Sequence, residues 1–398
     1  MKFLIYIPQL IFGGAEKVLV SFANDLVSRG HEVEVIELYE KGLLKPQFDK
    51  RVTFGAICSN EYTRKYYTSL AQIKAAPSLG EKLVGCGKLA FSKIVGYRRF
   101  AEKLAAKRYA DKHYDVAINY LETEPPTFLL EHIQADKYIQ WYHIDVANMA
   151  HPEETDRQIP EYERMDAIIC VAESARVNFA SRYPQLAQKT HVIYNFFDTD
   201  AIVARGSEPF SYNEERITML SVGRMTEQKK YLRFLDVLAR LKNDGYSFAW
   251  HVLGTGAEQD AILQKIDALG LANCVFLDGV TENPYKYMKN CDLFVLPSGW
   301  EGFPTVTVEA KILGCPVLAT DVSGIREQLI HGETGWIVEN SEDGIYEGLK
   351  HLLDNPDLVK KLKSNKGMEK ICSNDEKCFL AMNILKNTRR SANTNNAH

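Results

Sequence analysis

The stretch from Leu296 to Glu309, L-P-S-G-W-E-G-F-P-T-V-T-V-E, restricts the fold more than any other part of the chain. An apolar run, Asp292 to Leu296, predicts a buried strand, and Pro297 and Gly299 end it and open a loop. Pro304 suits the first turn of a helix because its missing N–H costs nothing there, and Val306, Val308, Ala310 and Ile312 carry the helix onward. A strand, a tight loop and a helix in that order form one unit of a parallel α/β sheet. The helix start aims unpaired N–H groups, from about Thr305 to Thr307, past the strand ends, where they favour an anion such as phosphate. Glu301 and Glu309, with seven residues between them, bracket that start and are placed to straddle one polar ligand.

The same unit recurs. Phe3 to Ile7 reads as a buried strand, and Gly13-Gly14-Ala15-Glu16 leads into a helix that ends at Arg29-Gly30. In the second half, the strand Ile217 to Val222 runs into Gly223-Arg224, with Lys229 five residues beyond the arginine. A guanidinium and an ammonium at that spacing suit a bridging diphosphate, the first by bidentate bonds and the second as a point charge. The strand Ala249 to Leu253 ends in Gly254-Thr255-Gly256, a further turn that allows close approach.

These four motifs, in this order and spacing, resemble the retaining, nucleotide-sugar-dependent glycosyltransferases of the GT-B fold, the group 1 type found in bacterial polysaccharide and lipopolysaccharide synthesis. The resemblance implies two Rossmann-like doubly wound parallel sheets facing a cleft. The division expected is residues 1–200 on the acceptor side and 201–373 for the nucleotide sugar, with a last helix at about 374–390 crossing back to the first domain. By resemblance, Glu301 holds donor-sugar hydroxyls, and Gly302 and Phe303 hold the sugar through backbone groups. Glu309 takes the ribose; an ionised carboxylate can accept from two vicinal hydroxyls at once. Arg224, Lys229 and the N–H groups following Pro304, at Thr305 and Val306, take the diphosphate without a metal. Gly13, Gly14, Gly254 and Gly256 line the same ligand. His143, just past the strand Tyr138 to Tyr142, stands where the family contacts the donor sugar; the other reading is a satisfied structural histidine. The family has Gly-Gly-x-Pro-Glu where this chain has Ser323-Gly324-Ile325-Arg326-Glu327, and Gly where Lys230 stands.

Other classes fit less well. A dinucleotide-binding oxidoreductase or epimerase needs G-x-G-x-x-G in the first turn, and although Glu37 lies near the place of the ribose acid, the glycine pattern differs. A glycosidase would explain two carboxylates but not Arg224, Lys229 and the glycine turns. A catalytically silent partner subunit would be expected to lack Glu301, Arg224 or Lys229, and all three are present. Asp198-Thr199-Asp200 is discounted as a metal motif, because Asp-rich turns are common at strand exits.

At 398 residues the chain is long enough for two cores. A net charge of -4 argues against a nucleic-acid partner. The eight cysteines are scattered, without metal spacing, which points to a reducing cytoplasm, and no run approaches the ~20 apolar residues of a membrane span. Any membrane association is expected to be peripheral. Residues 82–112 are basic, and Tyr97, Phe100, Leu104 and Ala105 recur at helical spacing. Two readings stay open for this segment: contact with an anionic membrane or lipid-linked acceptor, or a solvated helix face whose other side packs on the sheet. Ser174 is expected to cap a helix, Arg205 to Arg216 to link the domains, Glu342 to Lys363 to be helical, and the tail from Arg389 to be disordered.

Overall fold

The computed structural model describes all residues except 12, 62, 64–69, 92–95, 150, 365–367 and 388–398. It contains two all-parallel sheets. The first has seven strands in the order β3-β2-β1-β4-β5-β6-β7, and the second has six in the order β10-β9-β8-β11-β12-β13. The first-sheet strands are β1 Lys2–Ile7, β2 Glu32–Tyr39, β3 Thr53–Cys58, β4 His113–Asn119, β5 Gln134–Tyr142, β6 Ala167–Cys170 and β7 Thr190–Val192. Those of the second are β8 Ile217–Val222, β9 Phe248–Leu253, β10 Val275–Gly279, β11 Leu293–Leu296, β12 Val317–Thr320 and β13 Trp336–Val338. Strand β1 pairs in parallel with both β2 and β4, Ile5 lying opposite Val35 and Ile118. In the second sheet Phe294 of β11 lies opposite Leu220 of β8 and Val317 of β12.

The central strands are apolar on both faces because helices cover both, and β1, β6, β11 and β12 are buried almost throughout. In each sheet the order reverses once, between β1 and β4 and between β8 and β11, and the loops leaving those strands diverge to open a crevice at their carboxyl ends. The four motifs lie at or beside these two reversals.

Several expectations are corrected. Strands β3 and β13 were not legible: the first lies in a stretch without clear alternation, and the second has only three residues. Glu342 to Lys363 is two helices, Glu342–Asp354 and Pro356–Lys361, because Pro356 lacks the N–H needed to continue the first and opens the second instead. Arg205 belongs to the helix Thr199–Gly206, so the irregular connection starts at Ser207. That helix is capped by Asp198, whose side chain accepts from the Ala201 N–H, which is a structural use of the Asp-x-Asp motif. The helix Glu173–Arg182 has Ala172, not Ser174, at its N-cap.

The last helix, Asn374–Asn387, returns to the first sheet. Lys377 is 1 % exposed, donates to the Asn195 carbonyl and lies over the Phe196 and Phe197 rings, while Asp375 pairs with Arg29 and Cys378 meets Asp25. The tail from Arg389 lies outside the described residues.

Candidate functional site

At the second reversal, β8 delivers Gly223-Arg224 and β11 delivers Ser298 to Glu301. Glu301 is 6 % exposed. Its Oε1 accepts from Lys229 Nζ at 2.6 Å and from Ser298 Oγ at 2.7 Å, and its Oε2 accepts from Gln228 Nε2 at 3.2 Å. Ser298 is in turn fixed by Thr320, whose hydroxyl donates to its carbonyl at 2.7 Å. The carboxylate and ammonium are thus held together by the protein's own side chains, in a site largely shielded from water. The choice of Lys229 over its neighbour has a backbone reason. Lys230, where the family has glycine, is the one described non-glycine residue with positive φ, at 52°, and its side chain turns away over the Trp300 ring.

Arg224 is exposed and has no hydrogen-bonding side-chain partner among the described residues; its charge opposes the effect of burial on Glu16, across the cleft. The loop carrying it rests on the Gly254-Thr-Gly256 turn. A Cβ at Gly254 would lie 2.0 Å from the Gly223 carbonyl oxygen, and one at Gly256 would lie 2.2 Å from that of Met225. What these glycines admit at close range is therefore the arginine loop's backbone.

The predicted helix is present as Thr305–Ile312, with Pro304 at its N-cap. Thr305 faces the first domain: a Cβ at Gly14 would lie 3.3 Å from its hydroxyl oxygen. Gly14 itself starts the helix Gly14–Ser28, so two helix N-termini approach each other across the cleft, and both favour an anion. Glu309, 5 % exposed, is bonded to the Tyr285 hydroxyl, and burial pushes its carboxyl above the usual range while the Lys17 and Arg205 charges oppose that. Val306 is half-buried behind Thr305.

The Gly302-Phe303 segment is pressed against the first domain. A Cβ at Gly302 would lie 2.2 Å from the His143 carbonyl oxygen, and the Phe303 ring lies 5.4 Å from that of Tyr194. His143 leaves the end of β5. Burial drives its imidazole down to about 3, so the ring is neutral. It bonds to the Tyr120 backbone carbonyl, and its Nε2 has no hydrogen-bond partner among the described residues. The Tyr120 ring stands 4.7 Å away, and its hydroxyl is equally buried and unpartnered. Beside them Glu122 accepts the His143 N–H at 3.0 Å, with its carboxyl raised by burial. Glu16 folds back over the first turn, so that a Cβ at Gly13 would lie 2.1 Å from its Oε2. Burial raises the Glu16 carboxyl as well.

Sequence reasoning missed Gln228, Ser298, Tyr120, Glu122 and Tyr285. Gln228 and Ser298 flank recognised motifs, and proximity to those motifs was the only signal; the other three offered none. Glu37 is not a ribose ligand: it is 0 % exposed, and its Oε2 accepts the N–H groups of Leu10, Lys41 and Gly42 at 3.0 Å each. Among the described residues no cluster of metal-ligating side chains occurs, and no helix is long and apolar enough to cross a membrane.

Two doubly wound parallel sheets with a charged, glycine-lined cleft between them define a GT-B protein. Residues 206–367 match the family of glycosyl transferases group 1. The second half of the chain thus resembles the group 1 glycosyl transferases, and the chain as a whole has the GT-B fold. It is similar to the N-acetylgalactosamine-N,N'-diacetylbacillosaminyl-diphospho-undecaprenol 4-alpha-N-acetylgalactosaminyltransferase of Campylobacter jejuni, 32 % identical over 51 % of this chain and 55 % of that one. It is also 29 % identical to the amylovoran biosynthesis glycosyltransferase AmsK of Erwinia amylovora, over 35 % of this chain and 38 % of that one. The chain thus spans about half or less of the length of the curated relatives it matches. Solved structures share the fold over nearly the full length. Anabaena HepE in complex with UDP and glucose has a TM-score of 0.72 at 17 % identity over 96 % of this chain and 99 % of that one. An S. aureus TarM complex containing UDP has a TM-score of 0.74 at 13 % identity, over the same shares of the two chains.

Proposed function

We propose that the protein transfers a hexose or N-acetylhexosamine from a nucleotide diphosphate sugar, with a UDP-sugar favoured, to a saccharide acceptor in cell-surface polysaccharide synthesis, with retention of configuration. The observation that carries this reading is the buried Lys229–Glu301 pair at 2.6 Å, beside Arg224 and the N-terminus of Thr305–Ile312. In this reading the departing diphosphate draws Arg224 and Lys229 to itself, and Glu301, released from its lysine, accepts donor-sugar hydroxyls. Arg224, Lys229 and backbone N–H groups supply the positive charge that the leaving group requires, so no metal is needed. Glu309 with Tyr285 takes the ribose, and the neutral His143 accepts a sugar hydroxyl at Nε2. The UDP in the HepE and TarM complexes supports the choice of donor base.

The acceptor we propose is a lipid-linked saccharide at the inner membrane face, in keeping with the diphospho-undecaprenol in the Campylobacter relative's name. The basic segment is divided by its contacts. Arg98 is held by Glu102 and Glu124, and Lys112 by Glu34. Helix Tyr97–Tyr109 packs Ala101, Ala105 and Tyr109 inward, in accord with the second of the two readings. Lys93 lies outside the described residues. The surface better suited to an anionic membrane is the helix Leu79–Phe91, where Leu79, Leu83 and Val84 are 77 %, 66 % and 60 % exposed beside exposed Lys82. Aspartate at Leu79 and Leu83 is expected to abolish co-sedimentation with anionic vesicles, and unchanged binding would remove this surface from the proposal.

The deciding experiment is nucleoside diphosphate release from a panel of uracil- and guanine-nucleotide sugars with chelator present, for wild type and Glu301→Ala. One donor that turns over under chelation and fails in the variant supports the reading. A wild type that binds no nucleotide refutes it in favour of a silent partner subunit.

A further inference from the structure

The turn Ser323-Gly-Ile-Arg-Glu327, where this chain departs from its family's pattern, takes no part in the site above, yet its side chains cross between the domains. The helix Glu173–Arg182 of the first domain has Ala172 at its N-cap, which offers no side-chain oxygen. The missing acceptor comes from the second domain: Glu327 Oε2 accepts from the Glu173 N–H at 2.8 Å, and Oε1 from the Ser174 N–H at 3.0 Å. The same carboxylate accepts from the Ser174 and Tyr194 hydroxyls, at 3.0 Å each. A carboxylate on the first N–H groups of a ten-residue helix is favoured by hydrogen bonding and by the helix dipole together.

A second strand of contacts runs beside it. Ser323, where the family has glycine, donates to Asp145 Oδ2 at 2.6 Å and lies 2.8 Å from the Ser174 hydroxyl. Asp145 is 1 % exposed, follows His143 by two residues, and is held by Asn178 from the same first-domain helix. Between these contacts lies the Gly302-Phe303 segment: Gly324, at φ 79°, is so close that a Cβ there would lie 3.0 Å from the Gly302 carbonyl oxygen and 2.9 Å from the Phe303 ring.

We propose that Glu327, Ser323 and Asp145 form an interdomain clasp that holds the domains closed at one end of the cleft and so positions Gly302 and Phe303 against His143. They are positioning residues, since none reaches the diphosphate or sugar groups assigned above. A cap supplied from within the first domain would stabilise the helix equally well; supplied from the second, it makes the helix start depend on closure. The serine at 323 adds a link that glycine cannot make.

The test compares full-length wild type, Glu327→Ala and the milder Ser323→Ala by small-angle X-ray scattering, UDP calorimetry and steady-state kinetics. The calorimetric and kinetic arms rest on the transferase reading, and the scattering arm does not. Expected for Glu327→Ala are a larger radius of gyration, kcat reduced about tenfold or more, and UDP affinity within about twofold of wild type, because the side chains assigned to the nucleotide, Arg224, Lys229, Glu309 and Tyr285, lie in the second domain; Ser323→Ala is expected to show the same pattern in weaker form. A residue that merely stabilises the fold would lower UDP affinity and melting temperature together and leave kcat per folded molecule intact. Scattering curves identical to wild type in both variants overturn the clasp, whatever the turnover. Should wild type neither bind UDP nor turn over any donor, the transferase reading fails, and the scattering comparison still decides the clasp.

Discussion

The two sheet reversals face the same cleft but are prepared differently. At the second, Glu301 has donors on both oxygens, and one of them, Ser298, is itself held by Thr320 of β12. At the first, Tyr120 and His143 end in buried polar atoms without partners among the described residues, and two carboxyls, Glu16 and Glu122, are raised by burial. A site whose groups satisfy one another is organised in advance for a ligand of constant chemistry; one that retains unsatisfied groups bears a standing desolvation cost, recovered only when a partner bonds to them. In the proposed function the self-satisfied side holds the diphosphate, and His143 on the other side is left to accept a sugar hydroxyl at Nε2.

The sharpest way to break the contrast is Lys229→Ala. Removing one member of a buried pair leaves the Glu301 charge uncompensated, and a loss of about 3 kcal/mol in urea denaturation is expected. A loss under about 1 kcal/mol would mean that the second reversal is no more preassembled than the first. Next is pH. His143 is neutral when folded, with its pKa lowered from the ordinary 6.5 to about 3, so the unfolded chain binds the extra proton in that window. The stability involved is intact above pH 6.5 and is lost as pH falls, by about 1.4 kcal/mol per unit relative to His143→Asn. Parallel pH profiles for the two proteins would contradict the burial.

Tyr120→Phe should move the other way. Deleting a buried hydroxyl that has no partner among the described residues is expected to raise stability by about 1 kcal/mol. A destabilised variant would show that the hydroxyl is satisfied in solution. The smallest effect belongs to Lys230→Gly. Relief of a left-handed backbone, set against glycine's greater unfolded-state entropy and the lost contact with Trp300, leaves a gain of about 0.5 kcal/mol in thermal unfolding.

What was legible in the sequence was local. Pro297 and Gly299 end a strand, Pro304 begins a helix, and the helix does begin at Thr305, because turn and cap chemistry act over a few residues. Motif order was equally legible: it placed Arg224, Lys229, Glu301 and Glu309 in one half of the chain, where the second sheet gathers them. Proline was informative even where the first reading failed: Pro356 splits a long helical stretch for the same reason that Pro304 starts one. Asp198, discounted as a metal ligand from the sequence, caps a helix.

Tertiary structure decided everything that depends on which loops meet. Ser298 looks like an ordinary turn serine until the fold brings Glu301 back onto it, and Gly254 like a ligand turn until the Gly223 carbonyl takes the space its side chain would need. Glu327 reads as an exposed helix acid in its own segment; only the approach of Glu173–Arg182, more than 140 residues earlier in the chain, turns it into a cap. Short-range sterics and capping fix a turn from its own residues, whereas the partner of a polar side chain across a cleft is fixed by the packing of two sheets, which no local stretch encodes.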